Sequence, residues 1–392
     1  MDAELLGQLL GDDDAGIGQR DRGLRDAIAK PDVVREEALV LRRCFDPTGP
    51  GSRPCQPPGR PGLGSRATAP WCSQQHPGVQ EDHTAGSNRS LPFGLAAPLA
   101  LGSAALAFWL VRLVGPLRAF FRTNGQLTSG KTRRRYLLHV PEGLDPGRAV
   151  PLVVVIHGFM QSPAHQAEMS RWDELADAEG FITVYPMGTG FPLRWAAHEP
   201  VASSQATRDH VDFIRHLVDT ICEAYAIDPG RIYACGMSNG GGLASALACE
   251  LPDVFAAVGS VAGLYTYTPD GPAGDRPVPL IAFHGALDRI VPIRGGVRRL
   301  RYGVPAVADW MDAYARRCGC TVRSDERLSE SLDQVRYSGG PDDVEVIWYT
   351  VGDGGHTWPG GIPLPEVITG PTSDAIDATR VMWEFFTRHA RA

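Results

Sequence analysis

The 392-residue chain has no surplus of basic charge: 38 Lys and Arg stand against 45 Asp and Glu, a formal net charge of −7. Nothing in that balance recommends a polyanion, and nucleic acid is set aside as a partner. It has no compact cysteine cluster either. Its eight cysteines, at 44, 55, 72, 222, 235, 249, 318 and 320, are dispersed. The one close pair, Cys318 and Cys320, has no second pair and no histidines at zinc-finger spacing, so a structural metal is not expected. Cys235 and Cys249 read as small thiols filling a core. No internal repeat is visible.

Residues 1–90 lack aliphatic periodicity. From Cys44 to Ser90 the chain is mostly Pro, Gly, Ser, Arg and Gln, too little apolar surface to offset the entropy of ordering. A disordered, low-complexity leader is expected there, with room for short helices such as 25–43, and a true start further down the chain is a second possibility. Residues 91–111 lack charge altogether and are long enough to span a bilayer. They are also rich in Ala and Pro, and Ala105-Leu106-Ala107 fits the A-x-A cleavage site of an export signal. A retained anchor and a cleaved signal both stand, with a buried segment or a gene-model artefact as the remaining alternative. Arg112, Arg118, Arg122, Lys131, Arg133, Arg134 and Arg135 follow, against Arg89 alone just upstream; a retained anchor would leave the C-terminal part in the cytoplasm. Residues 112–132 read as a basic linker.

What is present begins near residue 133. Residues 136–140 look like an edge strand, and 150–156 is a continuous apolar run of the kind buried on both faces of a parallel sheet. Helix is expected over 163–178, strand over 181–185, helix over 207–225, strand over 232–235, helix over 241–251 and strands over 254–262 and 279–284. A helix over 304–317, a strand over 344–351 and a helix over 373–389 complete the pattern. Strand and helix alternate throughout, which implies crossover connections and an α/β fold: a mostly parallel sheet with helices on both faces, filling residues 133–392.

At the centre of this pattern Gly236-Met237-Ser238-Asn239-Gly240 matches G-x-S-x-G between a strand and a helix, a sharp turn that leaves the serine hydroxyl projecting from the sheet edge. A serine nucleophile needs a base and a group that orients the base. In this fold class they follow in the order acid, then histidine. Asp288 lies just past the strand ending at His284, and His356 lies in the Gly-rich loop after the final strand, each at the edge where open α/β sheets gather catalytic groups. Asp353 is too near His356 in sequence to reach the far side of its ring, and Asp253 only follows the helix after Ser238. His157 and His284, each at a strand end before a glycine, read as structural. The backbone N–H groups of Phe159 and Asn239 are the candidate oxyanion donors. Trp358, beside the candidate base, and Trp195 are candidate apolar walls for the acyl or alcohol group. No metal or organic cofactor is called for.

Four segments, His157-Gly158, Gly236-Met-Ser-Asn-Gly-Gly241, His284-Gly-x-x-Asp288-x-x-Val-Pro292 and Gly355-His-Thr-Trp-Pro-Gly360, together resemble the poly(3-hydroxybutyrate) depolymerase and feruloyl esterase family, related to carbohydrate esterase family 1 and the α/β hydrolases. The resemblance covers roughly 133–388, with Gly-His-Thr-Trp-Pro-Gly its most specific piece. It implies a serine carboxylesterase, usually exported, acting on polyesters or on feruloyl or acetyl esters of plant polysaccharides. Ser238 would be the nucleophile, Asp288 the acid and His356 the base. The resemblance also implies a disulfide at the position of Cys320, but 335–341 holds no cysteine to partner it, and the loop after Ala262 offers none for Cys249. Both departures weaken the case for an oxidising compartment. No polymer-binding module follows the last helix, so soluble esters or short oligomers are the expected substrates, and the location is extracellular or membrane-anchored. An acyltransferase with the same triad and a non-catalytic binding protein of the same fold are the alternatives; a prolyl-oligopeptidase-type peptidase would need a propeller domain that the leader is too short to supply.

Overall fold

The structure is a computed structural model that describes residues 119–197, 204–269, 276–296 and 303–391. The leader, the uncharged segment 91–111 and the first part of the basic stretch lie outside the described residues. Ten strands form one sheet. They are β1 (Gly125–Ser129), β2 (Thr132–His139), β3 (Val150–Ile156), β4 (Ile182–Pro186), β5 (Ile227–Met237), β6 (Ala257–Val261), β7 (Leu280–Gly285), β8 (Val322–Ser329), β9 (Leu332–Ser338) and β10 (Val346–Val351). Their order across the sheet is β1-β2-β4-β3-β5-β6-β7-β10-β9-β8. From β4 to β10 every neighbouring pair is parallel, and antiparallel strands flank this block on both sides.

The continuous apolar run of β3 follows from cover on both faces. Leu152, Val154 and Ile156 pack toward α3 (Gln205–Ala224), α4 (Asn239–Glu250) and α5 (Val307–Arg317), while Val153 and Val155 pack toward α1 (Pro163–Ser170), α2 (Trp172–Glu179) and α7 (Ala378–Arg388). All five side chains are fully buried, so no polar alternate is tolerated. On α3 the residues Val211, Ile214, Leu217, Val218 and Ile221 make one apolar stripe against the sheet, and the helix is started by Ser204, whose hydroxyl accepts from the Thr207 N–H at 3.3 Å. A short α6 (Glu366–Thr369) lies in the long connection after β10.

Two expectations need correction, and one hairpin lies outside the expected pattern. The helix expected over 163–178 is two helices, because Arg171 takes a left-handed conformation (φ 56°) that ends α1 and turns the chain into α2. The strand expected over 136–140 is present as part of β2 but is not at the edge: β1, inside the stretch read as basic linker, pairs along its outer side. Within β2, pleating exposes Arg133 and Arg135 and buries Arg134, so one of the basic cluster is not a solvated charge. Last, β8 and β9 form a hairpin that periodicity does not announce, since every residue of β8 is exposed.

Trp383 of α7 stacks on Phe181 at a centroid distance of 4.0 Å beneath the sheet. Trp383→Ala leaves a cavity there. The expected loss is about 3–5 kcal/mol of unfolding free energy in urea denaturation.

Candidate active site

Because β5, β7 and β10 run the same way, their C-terminal ends share one edge of the sheet. The registers place them at one level: Met237 pairs with Val261, Val261 with Phe283, and Gly285 with Val351. Ser238 directly follows β5, Asp288 lies three residues past β7, and His356 five past β10. All three positions singled out in the sequence therefore fall on the same edge.

Ser238 joins β5 to α4 with φ 54° and ψ −119°, a strained conformation for a residue with a side chain. Its N–H donates to Val261 O at 2.8 Å, and its carbonyl accepts from both Gly242 and Leu264 at 2.9 Å, so the turn is held from two sides. Glycine is required at 240 by close approach: a Cβ there would collide with the carbonyl oxygens of Ile156 and His157. That contact puts the start of α4 against the end of β3.

His356 is 6% exposed, and its Nδ1–H donates to Asp288 Oδ2 at 2.7 Å. The proton on Nδ1 leaves Nε2 of the neutral ring as an acceptor. The other carboxylate oxygen of Asp288 accepts from the N–H groups of Ile290 at 2.9 Å and Val291 at 2.8 Å. The buried charge is thus hydrogen-bonded on both oxygens, as an ionised buried carboxylate must be. His284 Nε2 stands 3.5 Å from Asp288 Oδ2 and donates to Val291 O at 2.8 Å, a structural role as expected, with burial holding its pKa below the usual imidazole value. Asp353 is exposed, and Asp253 pairs with Arg215. The Ser238 hydroxyl makes no hydrogen bond among the described residues, so the serine–histidine contact is the one link not closed in the resting geometry.

On the β3 side, His157-Gly158-Phe159 turns away from the sheet. Among the described residues, neither the Phe159 nor the Asn239 backbone N–H is taken up by a protein acceptor. Both remain available for a ligand oxygen. Trp195, expected as a substrate wall, is not one: it is 1% exposed and ties the two donor segments together. Its N–H donates to Asn239 Oδ1 at 2.7 Å, its carbonyl accepts from Asn239 Nδ2 at 3.0 Å, and its indole N–H donates to His157 O at 2.9 Å. The side chain of Asn239, a residue singled out only for its backbone, makes half of this bracket. A polar residue that must be buried beside Ser238 was the signal for it. Trp358 is also no wall. It too is 1% exposed, lies in the core beneath the sheet, and donates to Thr379 Oγ1 of α7 at 2.9 Å.

Two neutral imidazoles lie behind the bracket. His157 Nδ1–H donates to Gly158 O at 2.7 Å and Nε2 accepts from Gly188 N–H at 2.9 Å, while burial lowers its pKa to about 4. His210 accepts on Nδ1 from Arg134 Nη2 at 3.2 Å, and burial followed by the Arg134 charge lowers its pKa to about 3. The Arg134 guanidinium also lies over the Phe213 ring at 3.9 Å.

The family model described as Esterase PHB depolymerase matches residues 134–269, a span that includes Ser238 and stops short of Asp288 and His356. NocK of Nocardia uniformis subsp. tsuyamanensis, an esterase by name, is 32% identical over 286 residues, covering 66% of this chain and 80% of its own. The chain belongs to this esterase family. As a member it is a carboxylic ester hydrolase on an α/β-hydrolase fold. The esterase is also 29% identical to the feruloyl esterase B of Piromyces equi over 57% of this chain, but spans only 42% of that protein. A solved structure, the acetyl xylan esterase from Aspergillus awamori, is similar over 67% of this chain and 98% of its own, at 16% identity and a TM-score of 0.49.

The two neutral histidines fix a pH response. The unfolded chain takes up protons on them near pH 6.5, whereas the folded esterase does so only near 4 for His157 and 3 for His210. Between those values the unfolded state binds more protons, so stability falls as pH falls. Calorimetric melting temperatures are expected to drop from pH 7 toward pH 4.5, with a shallower slope in His210→Asn.

Proposed function

We propose that the esterase works through a Ser238–His356–Asp288 triad and an acyl-enzyme, on hydroxybutyrate oligomers or on feruloyl or acetyl esters. The observation that carries this reading is the 2.7 Å bond from His356 Nδ1 to buried Asp288, on the sheet edge where Ser238 holds its strained turn. His356 Nε2 removes the hydroxyl proton as Ser238 Oγ bonds to the ester carbonyl carbon. The negative oxygen rests on the Phe159 and Asn239 N–H groups. The C–O bond to the alcohol breaks as His356 returns the proton to the leaving oxygen. Water then attacks the acyl-enzyme by the same route and frees the acid. The open Ser238–His356 link fits this scheme, because catalytic hydrogen bonds often tighten only around bound substrate.

The substrate classes follow the names of the family and of its feruloyl esterase relative. Exposed Met160 and Leu287, next to Phe159 and Asp288, favour an ester with an apolar acyl or alcohol group. A panel of hydroxybutyrate oligomers, feruloyl sugars and acetyl sugars orders these classes by kcat/KM.

A fluorophosphonate probe is expected to label Ser238, and Ser238→Ala to lower kcat on p-nitrophenyl butyrate by on the order of 10⁶. Asp288→Asn is expected to cost about 10⁴. Full activity in Ser238→Ala contradicts the scheme.

Trp195→Phe removes the indole donor to His157 O and loosens the spacing of the two oxyanion donors. Steady-state kinetics are expected to show kcat lower by roughly 10- to 100-fold with KM within about twofold, less than the ~10²–10³ lost with a whole donor.

A further inference from the structure

We propose that the active-site edge is a lipid-facing surface, seated on the bilayer that takes up residues 91–111, so that the enzyme draws its ester from the membrane. The choice of substrate rests on the hydrolytic reading of Ser238; the membrane contact does not.

The first observation is where large apolar side chains meet water. Nine are exposed among the described residues, and six of these, Met160, Phe191, Leu287, Ile362, Val367 and Ile368, lie on the connections that leave the C-terminal ends of the parallel strands. Phe191 is 91% and Val367 95% exposed, so neither contributes to the core. The six rim that edge, and all but Ile362 are tied to the site by backbone hydrogen bonds. Met160 follows Phe159, and its N–H donates to Leu193 O in the Phe191 loop at 3.0 Å. Leu287 precedes Asp288, and its N–H donates to Gly354 O at 2.9 Å. Val367 and Ile368 sit on α6, whose last residue, Thr369, accepts the His356 N–H at 2.6 Å. A soluble enzyme rarely concentrates exposed apolar side chains around one site unless something apolar covers them.

The second observation is where the chain enters the fold. Gly125, the first residue of β1, pairs with Tyr136, which pairs with Pro186 at the C-terminal end of β4; the sheet is entered at the active-site edge. Just before it, Phe120 O accepts from the Ser162 hydroxyl, and the Phe120 ring lies 5.7 Å from that of His165, in the connection that leaves β3 through Phe159. Seven residues, hence eight Cα–Cα steps, separate Val111 from Ala119. Fully extended they reach at most about 28 Å, so a bilayer that takes up 91–111 stays within that reach of Ala119, beside the edge at which the chain enters the sheet. Arg112 and Arg118 fall in the interval and Arg122 just after it, basic charge of the kind that headgroup phosphates attract. Rim and tether meet on one side, and a lipid surface is the occupant that satisfies both.

Tryptophan quenching tests the contact without catalysis. Full-length Ser238→Ala chain carrying Phe191→Trp, Val367→Trp or Val322→Trp is reconstituted in phosphatidylcholine vesicles with brominated acyl chains. Val322 is exposed but lies at the start of β8, at the opposite edge. After subtraction of the parent signal, the tryptophans at 191 and 367 are expected to be quenched at least twofold and that at 322 to be unchanged. Equal quenching at all three positions, or none at the rim, overturns the proposal. Absence of rim quenching alongside loss of polyester-film binding in Phe191→Asp/Val367→Asp overturns it in favour of a polymer surface. With Ser238 intact, that double variant is expected to hydrolyse soluble p-nitrophenyl butyrate within about twofold of wild type and a vesicle-borne long-chain p-nitrophenyl ester at least tenfold more slowly. Equal losses on both esters also overturn the proposal. Rim quenching in a wild-type chain that hydrolyses neither ester would sink the triad and leave the lipid face standing.

Discussion

The backbone of Gly240 lies so close to the carbonyl oxygens of Ile156 and His157 that no side chain fits between them. That contact joins the end of β3 to the start of α4. It brings the two open N–H groups, on Phe159 and Asn239, to the same corner as the bend that carries Ser238. Parallel strand order then does the rest. With β5, β6, β7 and β10 adjacent and codirectional, the loops bearing Asp288 and His356 cannot leave the sheet anywhere except beside that corner.

Around this corner the buried polar groups are nearly all neutral, and each is placed by a neutral partner. His157 is held between two backbone groups, and Asn239 and Trp195 satisfy each other reciprocally. Two buried charges stand apart from this rule. Asp288 meets two backbone N–H groups and the His356 ring, which keeps a carboxylate available to stabilise a protonated imidazole. Arg134 lies behind the bracket, against neutral His210 and the Phe213 face, and burial lowers its pKa to about 10. A charge at Asp288 in an otherwise neutral, water-poor setting acts at full strength on the ring it touches.

The parallel block and the three candidate catalytic positions were legible because each leaves a local trace. A strand covered on both faces must be apolar throughout, as β3 is, and a sharp strand-to-helix turn demands small residues, as at Gly236 and Gly240. The sheet margins left no such trace. The β8 strand is exposed on both faces and carries Arg, Asp and Glu like any loop, and the break at Arg171 uses a left-handed residue that is not glycine. The roles of Trp195 and Trp358 were misread for a related reason. Both stand near a candidate catalytic residue in space or sequence, but whether an indole faces a ligand or the core is decided by side-chain direction. Their N–H groups found partners inside, on His157 O and Thr379 Oγ1, as a buried indole requires. Arg134 shows the same limit in a strand: three consecutive arginines look alike, and only the pleat decides which one is buried.

The candidate base is held differently from the serine, and the difference links chemistry to surface. Ser238 is fixed by bonds to β6 and to the first turn of its own helix. The loop of His356 is instead fixed by a strap: His356 N–H donates to Thr369 O at 2.6 Å, Gly355 N–H to Pro371 O at 2.8 Å, and Thr357 Oγ1 to Pro371 O at 3.1 Å. That strap starts at the end of α6 and runs to Pro371; α6 is a single turn whose Val367 and Ile368 point into solvent and whose own core anchorage is little more than Thr369. A short helix with so few buried contacts is among the least stable parts of a fold. The backbone of His356 is thus joined to α6 by one hydrogen bond, while the Asp288 bond keeps the ring oriented. The one unclosed link of the constellation, from Ser238 to His356, therefore ends on a residue whose backbone is bonded to a turn with a single buried residue.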